Sequence, residues 1–188
     1  MKPFTFLLTT LIIGVQWEIT NDHHDHLSLT DIAKIAGSET RFVVATAGRE
    51  KIEQSGYKHI QTISPGAEIM VNDLRIMAVP AYNLIKPMHP KNKGYVGYVI
   101  DFNGIRVYHT GDTERVPEMK EVPCEIILVP LDQKYTMNSV EEAAEAVLDT
   151  KAMVAIPIHY GLYEGSTEDA LKFTEILQTK HVTVLTGK

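Results

Sequence analysis

The residues with the most chemistry to offer lie in the stretch Asn21-Asp22-His23-His24-Asp25-His26-Leu27-Ser28, where three of the eight histidines fall within four positions. Imidazole nitrogen and carboxylate oxygen together suit a borderline-soft dication, Zn2+ first, with Mn2+ or Fe2+ also acceptable. In an extended chain His23 and Asp25 point the same way while His26 points elsewhere, so one loop can present ligands to two neighbouring metal positions. Two later segments share the pattern: a run ending in His109-Thr110-Gly111-Asp112 and a run ending in His159-Tyr160-Gly161 each place a ligand type beside a glycine at a strand end. Taken singly, the first stretch also reads as a solvated polar loop, Asp112 as a turn residue and His159 as a hydrogen-bonded core histidine. Together the three fit a metal site better, because ligands at separate strand ends can converge on one rim.

The elements that must do this positioning are legible from periodicity. Short β-rich runs cover Trp17 to Thr20, Arg41 to Thr46, His59 to Ile63, Glu68 to Val71 and Leu74 to Val79, the last two joined through Asn72-Asp73. Val96 to Phe102 and Ile105 to His109 flank Asn103-Gly104, the dipeptide that most readily supplies the two positive φ angles of a type I′ turn. From Glu125 onward the rhythm becomes strand and helix in alternation: strand to Leu131, helix Ser139 to Leu148, strand Val154 to Ile158, helix Thr167 to Leu177, strand Val182 to Leu185. Ser139 with Glu142 predicts a capping box. Ser28 with Asp31 predicts a carboxylate version of it before a helix that ends near Gly37.

Composition narrows the class. The 188 residues are 44% hydrophobic and 22% charged, with no repeat or low-complexity tract, which predicts one folded domain over 1–188. A net charge of -6 offers no global positive field for a nucleic-acid backbone. The single cysteine, Cys124, excludes an intramolecular disulfide and a Cys-rich zinc module, and fits a reducing, cytoplasmic setting. Phe4 to Val15 is apolar behind Lys2, like the start of a secretory signal, but it is too short to span a membrane and lacks a small-x-small cleavage pattern. A buried strand is the better reading of it.

The motifs carry a resemblance. Asn21-x-His23-x-Asp25-His26, Tyr108-His109-Thr110-Gly111-Asp112-Thr113 and Ile156-Pro157-Ile158-His159-Tyr160-Gly161 resemble, in chain order, the successive metal motifs of the metallo-β-lactamase superfamily. Val79-Pro80-Ala81-Tyr82-Asn83, His89-Pro90-Lys91, Gly94-Tyr95-Val96-Gly97-Tyr98 and Tyr135-Thr136-Met137 resemble its branch of metal-dependent hydrolases related to ascorbate-6-phosphate lactonase. The likeness covers nearly everything after Trp17. It implies an α/β (α+β) fold, an αββα sandwich. It makes Asp25, His26 and His159 ligands of one metal, with Asp112 bridging toward a second that His23 helps to bind. The activity it implies is hydrolysis of an ester, lactone or phosphodiester bond of a small-molecule substrate by a metal-activated water.

In that scheme Asp25 both ligates and positions the attacking hydroxide, and His109 stands just behind the ligands unless it only packs at its strand end. Lys91 and Lys93 are candidate contacts for an anionic substrate group, or members of a solvated loop. Tyr135 and Tyr160 either line the pocket or fill the core. The chain departs from the superfamily pattern in three ways. Its first motif histidine is Asn21, a poor zinc ligand, so the site containing His23 is expected to be weak. A third histidine is absent near Ala81-Tyr82-Asn83; His89 could swing in as a substitute, but Pro87 and Pro90 around it favour an ordinary rigid loop. Only Met1 to Gln16 precedes the motif region, which predicts a reduced first sheet and a homo-oligomer covering the exposed face. The rival class is a non-catalytic relative that binds one metal or a small ligand.

Overall fold

The computed structural model describes residues 11–13, 16–71, 73–161 and 164–187. Eleven strands form two sheets among these residues. The smaller sheet has the order β1-β2-β3-β4, with β1 Leu11–Ile13, β2 Gln16–Ile19, β3 Arg41–Ala45 and β4 Ile60–Ile63. Strands β2 to β4 are parallel and β1 is antiparallel to β2. The larger sheet runs β11-β10-β9-β8-β7-β6-β5. Its members are β5 Glu68–Val71, β6 Leu74–Pro80, β7 Val96–Phe102, β8 Ile105–His109, β9 Ile126–Pro130, β10 Val154–Ile158 and β11 Thr183–Val184. β5 to β8 form an antiparallel meander, and β8 to β11 are parallel.

Two-residue alternation along the strands decides the layers. In β3, Val43 and Ala45 join Ile76, Ala78, Val96, Tyr98 and Ile100 of the other sheet in a core between the sheets. Phe42 and Val44, one residue out of phase, pack instead with Leu27, Ile32 and Ile52 of the outer helical layer. That layer contains α1 (Leu29–Ile35) and α2 (Arg49–Glu53). On the far face of the larger sheet, Val79, Val99, Ile127 and Val129 meet α3 (Val140–Asp149) and α4 (Thr167–Gln178). The buried α3 residues Val140, Ala143, Ala144 and Val147, and Ala170, Phe173 and Leu177 of α4, repeat at helical spacing. The result is the expected αββα sandwich, with a four-stranded first sheet.

The Asn103-Gly104 turn has both φ angles positive, at 54° and 95°, and closes Phe102 onto Ile105. Asp73 has φ 66°, whereas Asn72 of the other proposed turn lies outside the described residues. So does the proposed strand from Phe4 to Val15, apart from Leu11–Ile13. Ser28 caps α1 by accepting from the Asp31 N–H. At α3 only half of the predicted box forms: Ser139 accepts from Glu142, but the Glu142 carboxylate turns to the Asn138 and Arg115 N–H groups. The complete box is at α4, between Ser166 and Asp169. Among the described residues, no helix is long and apolar enough to cross a membrane.

Candidate metal centre

Five strands end on one rim, and the segments that follow them meet there. Segment 20–27 follows β2 of the smaller sheet; 81–95, 110–114, 131–137 and 159–161 follow β6, β8, β9 and β10 of the larger one. The junction between the sheets is tied by hydrogen bonds: Val96 N–H donates to the Thr20 carbonyl at 3.1 Å, and the Tyr98 hydroxyl to the Ile19 carbonyl at 2.8 Å. Gly111 is required where these segments touch, since its φ is +68° and a Cβ there would lie 2.8 Å from the Val96 carbonyl oxygen.

Two groups of side chains converge at this rim, and in each the potential ligand atoms all lie within 4.8 Å of one another: Asp25, His26, Asp112 and His159, and His23, His89 and Asp112. In the first, His26 Nε2 is 3.0 Å from Asp112 Oδ2, 3.2 Å from His159 Nε2 and 3.5 Å from Asp25 Oδ2. His159 Nε2 is 3.2 Å from Asp112 Oδ1 and 4.0 Å from Asp25 Oδ2. In the second, His89 Nε2 is 3.2 Å from His23 Nδ1 and 3.3 Å from Asp112 Oδ2. Four donors about 2.1 Å from a zinc at tetrahedral angles would be about 3.4 Å apart, so these separations suit one ion in each group.

The sequence-based picture of His23 and Asp25 sharing a direction does not hold. Segment 23–27 is not extended: the His23 carbonyl accepts from the N–H groups of His26 and Leu27, and fully buried Leu27 anchors this turn under the smaller sheet. The turn sends His23 to one group and both Asp25 and His26 to the other. His89 is also corrected. It sits in a loop, as expected, but with φ 55° its ring is carried inward and buried against Asp112 and His23.

His26, His89 and His159 each present Nε2 to their group while an oxygen faces Nδ1 from behind. His26 Nδ1 is 2.8 Å from Thr20 Oγ1, His89 Nδ1 is 3.1 Å from the Tyr135 carbonyl oxygen, and His159 Nδ1 is 3.5 Å from Asp132 Oδ2. Oxygens behind Nδ1 suit rings that would offer Nε2 to a cation. Burial would raise the Asp112 carboxyl, but His26 and His159 facing it hold it well below the usual carboxylate range. Burial, and then the nearby His89, lower the pKa of the His23 imidazole. Asp112 Oδ1 is buried and accepts no hydrogen bond, although His159 Nε2 lies 3.2 Å away. A buried carboxylate oxygen without a hydrogen bond, ringed by imidazole nitrogens, is what a cation would satisfy. The residues present therefore fit a divalent metal.

The chain matches the beta-lactamase superfamily domain over residues 19–160. It belongs to the metallo-β-lactamase superfamily. A UPF0173 protein of Pyrococcus furiosus is 31% identical over 175 residues, 89% of this chain and 75% of that one. The UPF0173 metal-dependent hydrolase of Staphylothermus marinus is 31% identical over 169 residues, covering 86% and 69%. Among solved structures, a candidate metal-dependent hydrolase of Parabacteroides distasonis superposes with a TM-score of 0.81 at 29% identity, over 95% of this chain and 78% of that one.

Within this metallo-β-lactamase frame, Asn21 is buried and fully used. Its Oδ1 accepts the His23 N–H at 2.9 Å, which turns Nδ2 toward Asp112 Oδ2 at 3.3 Å. The amide thus shows a hydrogen-bond donor to the carboxylate shared by both groups. His109 belongs to neither group; its Nδ1 accepts the Gly111 N–H at 3.1 Å and shapes the turn that carries Asp112. Lys91 is drawn to Glu118 at 3.0 Å and to the Tyr82 hydroxyl at 3.1 Å, so its charge is already paired. Lys93 is exposed at the end of the 3-10 turn Lys91–Lys93. Tyr160 packs against the core beside α3 and α4, and the part of Tyr135 that reaches the site is its carbonyl.

Sequence reasoning missed Thr20, Asn83, Glu114 and Asp132. The Glu114 carboxylate accepts the N–H groups of Leu84, Ile85 and Lys86 at 2.8, 2.9 and 3.0 Å, fixing the loop that delivers His89. Asn83 donates to the Tyr135 carbonyl at 2.7 Å. Asp132 could have been found, since it stands just beyond a strand end as Asp112 and His159 do.

Proposed function

We propose that this chain is a metal-dependent hydrolase that cleaves an ester, lactone or phosphodiester bond of a small molecule, with Zn2+ as the metal. The observation that carries the reading is the convergence of Asp25, His26, Asp112 and His159 from three separate segments around a buried carboxylate oxygen without a hydrogen bond. The names of the relatives support it. Asp25, His26, His159 and Asp112 would hold one ion; His23 and His89, with Asp112 shared, would hold a second.

When bound, the metal supplies Lewis acidity, lowering the pKa of a coordinated water toward neutrality and polarising the scissile bond. The chain's own residues divide the remaining work. His26, His89 and His159 are held by Thr20, Tyr135 and Asp132 so that they need no reorganisation to offer Nε2. Asp25, with 31% of its side chain exposed, stands on the solvent side of the group, where a carboxylate oxygen can accept a proton from the attacking water. Buried His26 and Asp112 close the opposite side.

A second reading, a metal binder without hydrolytic activity, is favoured by one observation: the Asn21 amide donates to Asp112 where an imidazole ligand is expected. Elemental analysis of the purified protein, with a screen of lactones, carboxylic esters and phosphodiesters, decides between them. Zinc with turnover supports the hydrolase. One zinc per chain without turnover supports the second reading, and no bound transition metal would overturn both.

A further inference from the structure

Behind the candidate centre lies a carboxylate that belongs to none of the sequence motifs. Asp132 follows β9, and only 3% of its side chain is exposed. Its Oδ1 accepts the backbone N–H groups of Lys134, Tyr135 and Thr136 at 3.1, 2.7 and 3.0 Å, which ties the 132–136 turn to the carboxylate. Oδ2 is left 3.5 Å from Nδ1 of His159. The same turn aims the Tyr135 carbonyl at Nδ1 of His89, 3.1 Å away.

A ring nitrogen that meets a carbonyl or carboxylate oxygen is favoured in its protonated form, because two facing lone pairs repel. The Tyr135 carbonyl and Asp132 thus favour Nδ1–H at His89 and His159, in competition with Asp112, which faces Nε2 of the two rings at 3.3 and 3.2 Å where a cation would take the proton's place. Both also have φ 55°, a region that non-glycine residues occupy at a cost and keep only when their surroundings hold them. Local backbone preference does not place these rings, so contacts from outside must.

We propose that Asp132 is the positioning residue that sets one histidine in each half of the centre, His159 through its own Oδ2 and His89 through the Tyr135 carbonyl. What the two rings are set for rests on the metal reading above, but their tautomers belong to the protein alone and can be read without metal.

Long-range 1H–15N spectra of the histidine rings in metal-free protein test this, together with zinc affinity from chelator competition. Wild type should show Nδ1–H at both rings, with Asp132 and the Tyr135 carbonyl prevailing over Asp112; Nε2–H at His159 in wild type would overturn the assignment. Asp132→Asn keeps an acceptor oxygen for the turn but turns an NH2 toward His159, so His159 should switch to Nε2–H while His89 does not. Zinc affinity should fall by about 10–100-fold. Asp132→Ala frees the turn as well, and His89 should then lose its single tautomer too. If that variant does not fold, Asp132→Glu, which displaces the carboxylate by one methylene, carries the same expectation for both rings. An unchanged His159 tautomer in Asp132→Asn, or an unchanged His89 in the second variant, would overturn the assignment. A wild type that binds no zinc would instead end the metal reading, leaving the tautomers to decide for Asp132.

Discussion

At the scale of single residues, the centre is a set of imidazoles and carboxylates whose geometry is prepared from behind. Removing one inward nitrogen takes away a ligand that no neighbour can replace, because the other positions are already committed. His26→Ala and His159→Ala should each lower metal content by about tenfold or more under limiting zinc, read by elemental analysis after gel filtration. Content equal to wild type in both variants would sink the assignment of the first group. Asn21 provides the opposite test. Its amide donates to Asp112, where an imidazole lone pair would add a ligand to the His23 and His89 group. Asn21→His should therefore raise zinc stoichiometry and strengthen hydrolysis. A folded variant that binds no more zinc than wild type would show that residue 21 does not stand at a ligand position.

At the scale of elements, the rim works because loops from both sheets approach closely enough to share Asp112. Glycine permits this at two positions. A Cβ on Gly97 would lie 2.5 Å from the Thr110 carbonyl oxygen and 2.6 Å from that of His109, both backbone atoms that cannot swing aside. Gly97→Ala should destabilise the fold by about 1–3 kcal/mol, measured by urea denaturation, and loosen metal binding through the displaced 110–112 turn. A variant as stable as wild type would mean that β7 and the β8 terminus can separate without loss. The Glu114 carboxylate plays the corresponding part for the 84–86 backbone, replacing hydrogen bonds that a loop without secondary structure cannot make for itself.

At the scale of the whole molecule, the two sheets must keep their register for β2 and β8 to end side by side. Most of that is hydrophobic packing of Val43, Ala45, Ile76, Ala78, Val96 and Ile100, which has little directional preference. Tyr98 adds direction: fully buried in β7, it donates to the Ile19 carbonyl at 2.8 Å, with the Val43 carbonyl 3.3 Å away. Tyr98→Phe keeps the ring and removes the tether. It should cost about 0.5–1.5 kcal/mol, seen as a lower urea midpoint with an unchanged slope. An unshifted midpoint would show that packing alone aligns the sheets.

The amino-acid sequence by itself determined the strands and helices with strong periodicity. Val96 to Phe102, Ile105 to His109 and Val154 to Ile158 match their strands residue for residue, because alternation, turn dipeptides and caps act over a few neighbouring positions. It also determined the ligand types at the ends of β2, β8 and β10, since residues with such chemistry cluster visibly in the chain. Short α2, with a single fully buried side chain in Ile52, left too weak a pattern to read. Only the tertiary structure decided that His89 belongs with His23, 66 positions away, and that Asp132 stands behind His159. Those relations depend on a left-handed backbone at His89 and on carboxylates that satisfy the N–H groups of loops, 30 positions away for Glu114. Neither leaves a periodic trace. Local preferences write the elements into the chain, whereas the partners of a buried polar group are chosen only when packing brings separate segments together.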